Sequence, residues 1–329
     1  MVSLIKRGIK AFARTNIASR IVTHLEASAD RRTNLLRVLT YHRIDWPDTS
    51  AHLYPNTLSS TPSEFRWQAE YLANRYCIVD IHAVIAAIRG EHELPPKALL
   101  ITFDDAYQDF WEHAWPTLRA LSLPAVLFVP TAFPSNRDAA FWWDRLHQAA
   151  IHADALATAA DLRRFRALVS HVKALPHSDA LTLVDEYCRD RESRAENKSP
   201  VMTWEQLRQL TKEGLDLAAH TCTHPLMTRI SVEEAVHEAT QSRKELCLQT
   251  HADLPVFAYP GGAYSQSLLQ PLDNAGFEVA FTTRRGLNDL RTASPLLLDR
   301  INVSVATPRT AVRAQLLSGM RHATAFAGR

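Results

Sequence analysis

The chain has 329 residues, of which 46% are hydrophobic and 22% are charged. This is the composition of a globular protein of one large domain or two ordinary ones, and it excludes a disordered, collagenous or coiled-coil chain. The 37 Lys and Arg residues balance 35 Asp and Glu residues to a formal net charge of +2, which argues against nucleic acid as a partner. No glycine-rich phosphate-binding motif is present.

The charge is unevenly distributed along the chain, because residues 1–43 carry a net charge of +7 and the remainder carries −5. The segment VSLIKRGIKAFARTNIASRIVTHL places its apolar residues near helical spacing, which predicts a basic amphipathic helix within residues 1–34. Such a helix either packs on the domain or makes a peripheral contact with an anionic membrane surface. The sequence leaves both alternatives open.

The sequence shows no targeting signal and no paired cysteines, which predicts a cytoplasmic protein. The charges at residues 6, 7, 10 and 14 interrupt any signal-peptide core, and the prolines within residues 120–136 exclude a membrane span there. The four cysteines lie far apart and form no CxxC pair, which is typical of free thiols in a reducing compartment.

Eight short apolar runs alternate with helical segments. Near-continuous apolar strands are buried on both faces, as in parallel sheets, so the alternation predicts an α/β fold in which a barrel is favoured over an open sheet. Helices are predicted over 63–74 and 231–249, with N-caps at Ser63 and Ser231. The runs are 35–42, 76–81, 98–105, 124–131, 215–220, 255–260, 278–283 and 299–305.

One segment interrupts this alternation. Residues 144–200 are helical by composition and predict a helical insertion in a barrel domain that spans residues 35–305. Residues 306–329 are expected to form a C-terminal helix or tail.

Two adjacent acids, Asp104 and Asp105, end the apolar run ALLITF. Ligands of α/β folds bind beyond the carboxyl ends of the strands, so both acids are delivered to the functional rim. Neighbouring strand residues point to opposite faces, and both acids serve one site only if the strand is already turning into its loop. A pair of solvated or capping acids is the alternative.

His220 and His224 lie four residues apart, directly after another strand. Pro225 disfavours helical geometry at His224, so a tight loop is expected to bring the two rings together. Two histidines and a carboxylate make a site that leaves positions open for water, as catalytic zinc requires. Two surface histidines are the alternative, and Cys222 between them is expected to point away.

In this order, TFDD and HTCTHP resemble motifs of the NodB-homology polysaccharide deacetylases, carbohydrate esterase family 4. The resemblance continues through PVFAYPGGAY, in the place of the family's third motif, and includes LRVLTYHRI and GFEVAFTTRRGLN. It covers roughly residues 35–305 without the 144–200 segment. It implies a distorted (β/α) barrel, a divalent metal for which Zn²⁺ is expected, and hydrolysis of an acetamido group on a sugar.

The resemblance implies a role for each matching residue. Asp105, His220 and His224 would hold the metal, and Asp104 would be the general base that takes a proton from water. The turn after the third-motif strand would serve the substrate and the oxyanion, with the Gly261 N–H as donor. That turn comprises Tyr259, Pro260, Gly261 and Gly262.

Two further residues are candidates at the rim. His42 ends the first strand and is proposed as an acid or a substrate ligand, although a strand-end histidine is often only hydrogen-bonded. Arg300, like Arg43, either contacts a substrate carboxylate or phosphate or pairs with an acid. Four aromatic residues are expected as apolar anchors near the rim that either stack on sugars or pack in the core, namely Phe141, Trp142, Trp143 and Trp111.

Three departures from the family pattern affect the mechanism. Ala106 replaces the glycine of TFDDG, and Ala258 stands where an arginine often braces the base. The histidine that usually protonates the leaving amine has no clear match, because only His322 follows LLLDRINV.

The leading hypothesis is a metal-dependent hydrolase that removes the N-acetyl group from a GlcNAc-like sugar of a polysaccharide or lipid-linked glycan. Hydrolysis of another non-peptide amide is one alternative, and a degenerate, non-catalytic sugar-binding homologue is the other. A glycosidase fits poorly, because its two carboxyls must lie about 5–9.5 Å apart across the bond that breaks.

Overall fold

A curled sheet of parallel strands forms the centre of this computed structural model, which describes residues 15–27, 32–136, 138–189 and 200–317. The strands are β1 (Leu35–Tyr41), β2 (Arg43–Ile44), β3 (Leu58–Ser60), β4 (Cys77–Ile78), β5 (Ala98–Phe103), β6 (Val126–Val129), β7 (Asp216–Ala219), β8 (Val256–Ala258), β9 (Val279–Phe281), β10 (Asn288–Asp289) and β11 (Ile301–Asn302). Strands β1, β5, β6, β7, β8 and β9 are neighbours in that order, and every pair of neighbours is parallel.

Residues 298–302 close this sheet into a barrel. Phe281 at the end of β9 pairs in parallel with Leu298, and Ile301 on β11 pairs in parallel with Leu39 on β1. The last strand of the sheet is thereby connected to the first. The predicted α/β barrel is confirmed.

Helices cover the outside of the barrel. A π-helical turn over Phe110–Ala114 leads into the helix Trp115–Ala120. Three of the described helices lie within residues 142–188, between β6 and the helix Trp204–Lys212. This is the segment predicted as an insertion, whose bounds of 144–200 remain a prediction. The helices are α1 (Asn16–Ala27), α2 (Pro62–Arg75), α3 (Ile81–Ile88), α4 (Trp115–Ala120), α5 (Trp142–His152), α6 (Ala159–Ala174), α7 (His177–Cys188), α8 (Trp204–Lys212), α9 (Val232–Thr250), α10 (Gln266–Asn274) and α11 (Arg309–Leu317).

The alternation of side chains along each strand produces two hydrophobic clusters. One joins the inward residues of the strands, such as Val38, Phe128 and Phe281, with residues of α3. The other packs the outward residues, such as Tyr41 and Phe103, against the surrounding helices. At the carboxyl ends of the strands, the inner cluster borders the functional rim.

Two local expectations are wrong. The run 76–81 is a strand only over Cys77–Ile78, because the Asp80 side chain accepts a hydrogen bond from the Ala83 N–H at 2.7 Å and starts α3. The helix expected from Ser63 begins earlier, because the Thr61 hydroxyl accepts from the Glu64 N–H at 3.3 Å.

The predicted cap at Ser231 is confirmed. Its hydroxyl accepts from the Glu234 N–H, and the Glu234 carboxylate accepts from the Ser231 N–H, which makes a complete capping box at the start of α9.

The amphipathic N-terminal helix is described from Asn16 to Ala27, and residues 1–14 lie outside the described residues. Arg313 of α11 binds Glu26 of α1 at 2.6 Å, and the Tyr71 hydroxyl of α2 donates to the same carboxylate, so one face of α1 packs on α11 and on the barrel domain. Residues 318–329, including His322, also lie outside the described part of the chain. None of the described helices is long and apolar enough to cross a bilayer.

Candidate active site

The backbone turns sharply at the carboxyl end of β5. Asp105 has a φ of 73° and Ala106 a φ of 52°, both in the left-handed region that L-residues rarely adopt. Because the strand ends at Phe103, this turn lets Asp104 and Asp105 serve the same rim, which is the condition that the sequence required.

Asp105, His220 and His224 form a buried cluster in which one ligand atom of each residue lies within 4.8 Å of the others. The Nε2 atoms of His220 and His224 lie 3.4 Å and 3.2 Å from Asp105 Oδ1. A tight loop brings the two rings together, because the Thr221 hydroxyl accepts from the His224 N–H at 3.0 Å and His224 has a φ of 60°.

These residues fit a divalent cation. Asp105 Oδ1 is buried without a hydrogen-bond partner, so the site contains a charged oxygen that nothing in the described chain satisfies. His220 Nδ1 lies 2.7 Å from the Ala258 carbonyl, and because a carbonyl only accepts, this nitrogen holds the proton and Nε2 is free to ligate. Ligand atoms at about 2.0–2.1 Å from zinc stand about 3.3 Å apart in a tetrahedron, and each of the two Nε2 atoms lies at such a distance from Asp105 Oδ1.

Electrostatics favour the ligating forms of these side chains. Burial opposes the ionisation of Asp105, but the rings of His220 and His224 beside its Oδ1 outweigh it and hold the pKa of this carboxyl well below its usual range. Burial lowers the pKa of His224 and favours its neutral ring. A carboxylate and a neutral imidazole are the forms that bind metal.

Asp104 lies beside this cluster in a bidentate ion pair with Arg300. The two terminal nitrogens of Arg300 donate to Asp104 Oδ1 at 2.8 Å and Oδ2 at 2.7 Å. Burial would raise the pKa of Asp104, but the charge of Arg300 outweighs it and the pKa is lowered. His42 Nε2 is 3.9 Å from Asp104 Oδ2, so the predicted base and the proposed acid are neighbours.

Arg300, for which a substrate contact was one of two predicted roles, does not line the cavity. Its side chain is fully buried among the inward residues of the barrel, over the rings of Phe128 and Phe281, and its Nε donates to the Thr282 carbonyl. Of the two alternatives for this arginine, the structure shows pairing with an acid. Arg43 likewise pairs with Asp109.

The turn after β8 contributes its backbone to the rim. Gly261 has a φ of 59° and lines the pocket, whereas Gly262 has a φ of 69° and packs against Thr283 so closely that a Cβ would lie 2.5 Å from the Thr283 nitrogen. Tyr259 and Pro260 do not line the pocket, contrary to expectation. Both are buried, and the Tyr259 hydroxyl donates to the Leu296 carbonyl.

The rim encloses a cavity of about 190 Å³. One wall is the barrel rim with the acids and histidines, and the others come from residues 54–57 and the inserted helices. The inserted helices contribute Trp142 and Trp143, and a lysine that sequence reasoning missed. Phe141 is buried in the core, and neither it nor Trp111 lines the cavity. The lining residues are His42, Tyr54, Asn56, Thr57, Asp104, Asp105, Trp142, Trp143, Lys173, His220, His224, Leu226, Gly261 and Thr283.

A buried carboxyl holds the aromatic wall in place. Asp144, on α5, accepts from the Tyr54 N–H at 2.7 Å and from the Tyr107 hydroxyl at 2.9 Å. Trp143 in turn donates its Nε1–H to the Tyr107 oxygen. Burial raises the pKa of Asp144 to about 7. The inserted helix and the loop after β5 are thereby joined directly behind the cavity.

Comparisons with known proteins agree with this geometry. Residues 91–280 match the family model described as polysaccharide deacetylase. The Streptococcus pyogenes deacetylase PplD, solved with acetate, superposes with a TM-score of 0.60 over 88% of this chain and 100% of that one, at 19% identity. At this identity the likeness shows the fold.

Two curated relatives are also similar in sequence. The Bacillus subtilis protein YxkH, named as a polysaccharide deacetylase, is 20% identical over 270 residues, which are 82% of this chain and 71% of that protein. The Escherichia coli K12 poly-β-1,6-N-acetyl-D-glucosamine N-deacetylase is 33% identical over 88 residues, which are 27% of this chain and 13% of that protein.

Proposed function

The chain belongs to the polysaccharide deacetylase family, and from this premise we propose that it removes the N-acetyl group from a GlcNAc-like sugar of a glycan. The observation that carries the proposal is the juxtaposition of Asp104 with the cluster of Asp105, His220 and His224 inside one cavity. The sugar is proposed from the name of the Escherichia coli relative, whose substrate is a polymer of N-acetylglucosamine.

We assign Asp105, His220 and His224 as the ligands of a divalent cation, with Zn²⁺ as the proposed ion. Two imidazoles and one carboxylate are a donor set that zinc accepts, and they leave positions open for water or substrate. When bound, such a cation polarises an amide carbonyl and makes water more acidic.

Asp104 is assigned as the general base. Its pKa is lowered, so it is ionised at neutral pH, and the paired bonds from Arg300 fix its orientation. His42, 3.9 Å away and lining the cavity, is proposed to deliver a proton to the leaving amine or to bind the substrate. The Gly261 N–H is proposed as the donor to the oxyanion.

Substitution of Asp104 by Asn tests these assignments. Asp104→Asn keeps a hydrogen-bond acceptor beside Arg300 but removes the base, so acetate release from N-acetylglucosamine oligomers should fall by about 10²–10⁴-fold. Metal content, measured by elemental analysis of the purified protein, should stay at the wild-type level. Asp105→Asn, the matched control one residue away, should lose both metal and activity.

Three outcomes would contradict the proposal in different ways. An Asp104→Asn variant with full activity would remove the base assignment. Hydrolysis of other small amides without acetate release from any acetamido sugar would favour the alternative amide hydrolase. Retained sugar binding without turnover by the metal-loaded wild type would favour the non-catalytic homologue.

We also propose that the N-terminal segment makes a peripheral contact with an anionic membrane. Ile17 and Ile21 of α1 are 65% and 49% exposed and lie four residues apart, with Arg20 exposed beside them. They continue the basic amphipathic pattern of the preceding sequence, within a segment of net charge +7. The cytoplasmic location, which rests on the cysteine spacing, remains a prediction.

Vesicle flotation tests this contact. The full chain should float with vesicles that contain phosphatidylserine and not with phosphatidylcholine vesicles. Ile17→Gln with Ile21→Gln should weaken flotation while acetate release is unchanged. Equal flotation of wild type and double variant would contradict the proposal.

A further inference from the structure

Lys173 brings a positive charge to the cavity from the inserted helices. It lies near the end of α6 and lines the same cavity as the Asp105 cluster. Within the described residues, its ammonium group forms no ion pair with a carboxylate and no hydrogen bond. The acids of the cavity do not require it as a partner, because Asp104 is paired with Arg300 and Asp105 faces two histidines.

Arg166 extends this charge along the same helix. It lies seven residues before Lys173, which places both on one flank of α6, about 10 Å apart along the helix axis. The ring of Phe165, the residue before Arg166, lies 6.2 Å from the ring of Tyr54, which lines the cavity, so the exposed Arg166 is on a turn of α6 that packs against that wall. Arg166, too, has no carboxylate partner among the described residues.

Other charges of α6 are arranged differently. Arg164, on the opposite flank of the helix, is paired with Asp161 at 3.2 Å. The buried residues Phe165, Val169 and Val172 lie between the two flanks and fix the rotation of α6 against the domain. The packing of the helix therefore places Arg166 and Lys173 on one flank and the paired Arg164 on the other, while Arg163, which forms no ion pair among the described residues, is exposed on the face opposite the buried residues.

We propose that Arg166 and Lys173 form a subsite for an anionic group of the glycan, a phosphate or a carboxylate, on a sugar next to the one that is deacetylated. The inference rests on the proposed deacetylation and deepens it by naming the substrate as an anionic glycan. The cations recognise a charge that is remote from the amide, so they select the substrate rather than take part in the chemistry.

Matched oligosaccharides test this subsite. An N-acetylglucosamine oligomer, the same oligomer with one phosphate, and the same oligomer with one uronic acid are compared by acetate release from the metal-loaded full chain. At low salt the wild type should prefer an anionic oligomer by about fivefold or more in kcat/KM, and 0.5 M salt should reduce the preference. The two anionic oligomers distinguish phosphate from carboxylate recognition.

The variants separate selection from turnover. Lys173→Gln should abolish the preference by lowering the kcat/KM of the anionic oligomers about fivefold more than that of the neutral oligomer, and Arg166→Gln should reduce the preference. Arg164→Gln, on the opposite flank, should behave as the wild type. A wild type without preference, or a Lys173→Gln variant that loses activity equally on all three oligomers, would overturn the subsite.

Equilibrium binding makes the test independent of turnover. Calorimetry with the uronate-bearing and phosphate-bearing oligomers should show a Kd about fivefold weaker for Lys173→Gln than for the wild type. If no acetamido sugar is hydrolysed but this difference is found, the deacetylase proposal fails and the subsite stands. An equal Kd for both proteins would overturn the subsite even if acetate is released.

Discussion

Arg300 binds Asp104 through both terminal nitrogens, at 2.8 Å and 2.7 Å, although 196 residues separate them in the chain. The position where the family's third motif often has an arginine is Ala258, which is buried in the inner cluster together with the rings of Phe128 and Phe281 that Arg300 contacts. A guanidinium from the segment that closes the barrel thus reaches the proposed base.

Removal of this guanidinium should affect stability and activity together. Arg300→Gln leaves the Asp104 carboxylate buried without its counter-charge, which should lower the free energy of unfolding by about 3–5 kcal/mol. Acetate release should fall by at least about tenfold at a temperature where the variant is folded, because the base is no longer fixed. Urea unfolding and a folded-state activity assay measure the two effects.

Arg300→Lys is the control for charge alone. A lysine keeps the positive charge but cannot make two parallel hydrogen bonds, so stability and activity should lie between those of the wild type and Arg300→Gln. Wild-type values for both variants would show that the ion pair does not support the base.

The two glycines after β8 should respond differently to alanine. A Cβ at Gly262 would lie 2.5 Å from the backbone nitrogen of Thr283, whereas at Gly261 it would meet the end of the Leu226 side chain at 2.9 Å. Both positions have positive φ, so each alanine costs about 1–2 kcal/mol, but only Gly262→Ala must also displace backbone. Chemical denaturation should therefore rank Gly262→Ala as clearly less stable than Gly261→Ala, and the reverse order would contradict this account.

The buried carboxyl behind the aromatic wall should make stability depend on pH. Burial raises the pKa of Asp144 from 3.8 to about 7, so the folded chain keeps a proton that the unfolded chain has released. Unfolding free energy should then decrease as the pH rises from about 4 to about 7, by up to about 1.4 kcal/mol per pH unit from this group.

Substitution by Asn isolates this contribution. Asp144→Asn should lack this pH-dependent contribution. When urea unfolding is measured between pH 4.5 and 7.5, the unfolding free energy of Asp144→Asn should therefore increase relative to that of the wild type as the pH rises. Asp185→Asn, on an exposed residue of the inserted helices, is the control and should leave the pH profile unchanged. Parallel profiles for the wild type and Asp144→Asn would refute the assignment.

Removal of the metal should inactivate the enzyme reversibly and lower its stability. The ligand cluster contains a buried oxygen, Asp105 Oδ1, without a hydrogen-bond partner, and an ion that binds only the folded chain stabilises it by about 2.7 kcal/mol at 100 times its Kd. Chelation should abolish acetate release and lower the Tm, and added Zn²⁺ should restore both. Unchanged activity and Tm after verified metal removal would contradict the proposed site.

The part of the site that depends on strand ends could be predicted from the sequence. TFDD and the histidine pair each follow an apolar run, and the carboxyl ends of parallel strands meet at one rim whatever helices connect them. The clustering of Asp105, His220 and His224 follows from that rule and from the tight loop at Pro225.

The remaining features of the fold and of the site depend on tertiary packing, which no local sequence pattern predicts. The sequence leaves open the choice between a substrate contact and an ion pair for Arg300, because its partner Asp104 lies in the turn after β5, 196 positions away in the chain. Lys173 and Asn56 carry no motif, and they reach the cavity only because α6 and the loop after β2 pack over the rim. The run 76–81 is apolar enough for a strand, but the Asp80 cap favours a helix there.

The closure of the barrel by residues 298–302 also has a consequence for biosynthesis. During translation Asp104 leaves the ribosome long before the segment that neutralises it. At about 5–20 residues per second, the 196 residues from Asp105 to Arg300 take about 10–40 s to synthesise. Throughout that interval the nascent chain has an open barrel and a carboxylate without its counter-charge. A chain whose synthesis stops before Arg300 therefore contains all three proposed metal ligands but lacks the arginine that orients the proposed base.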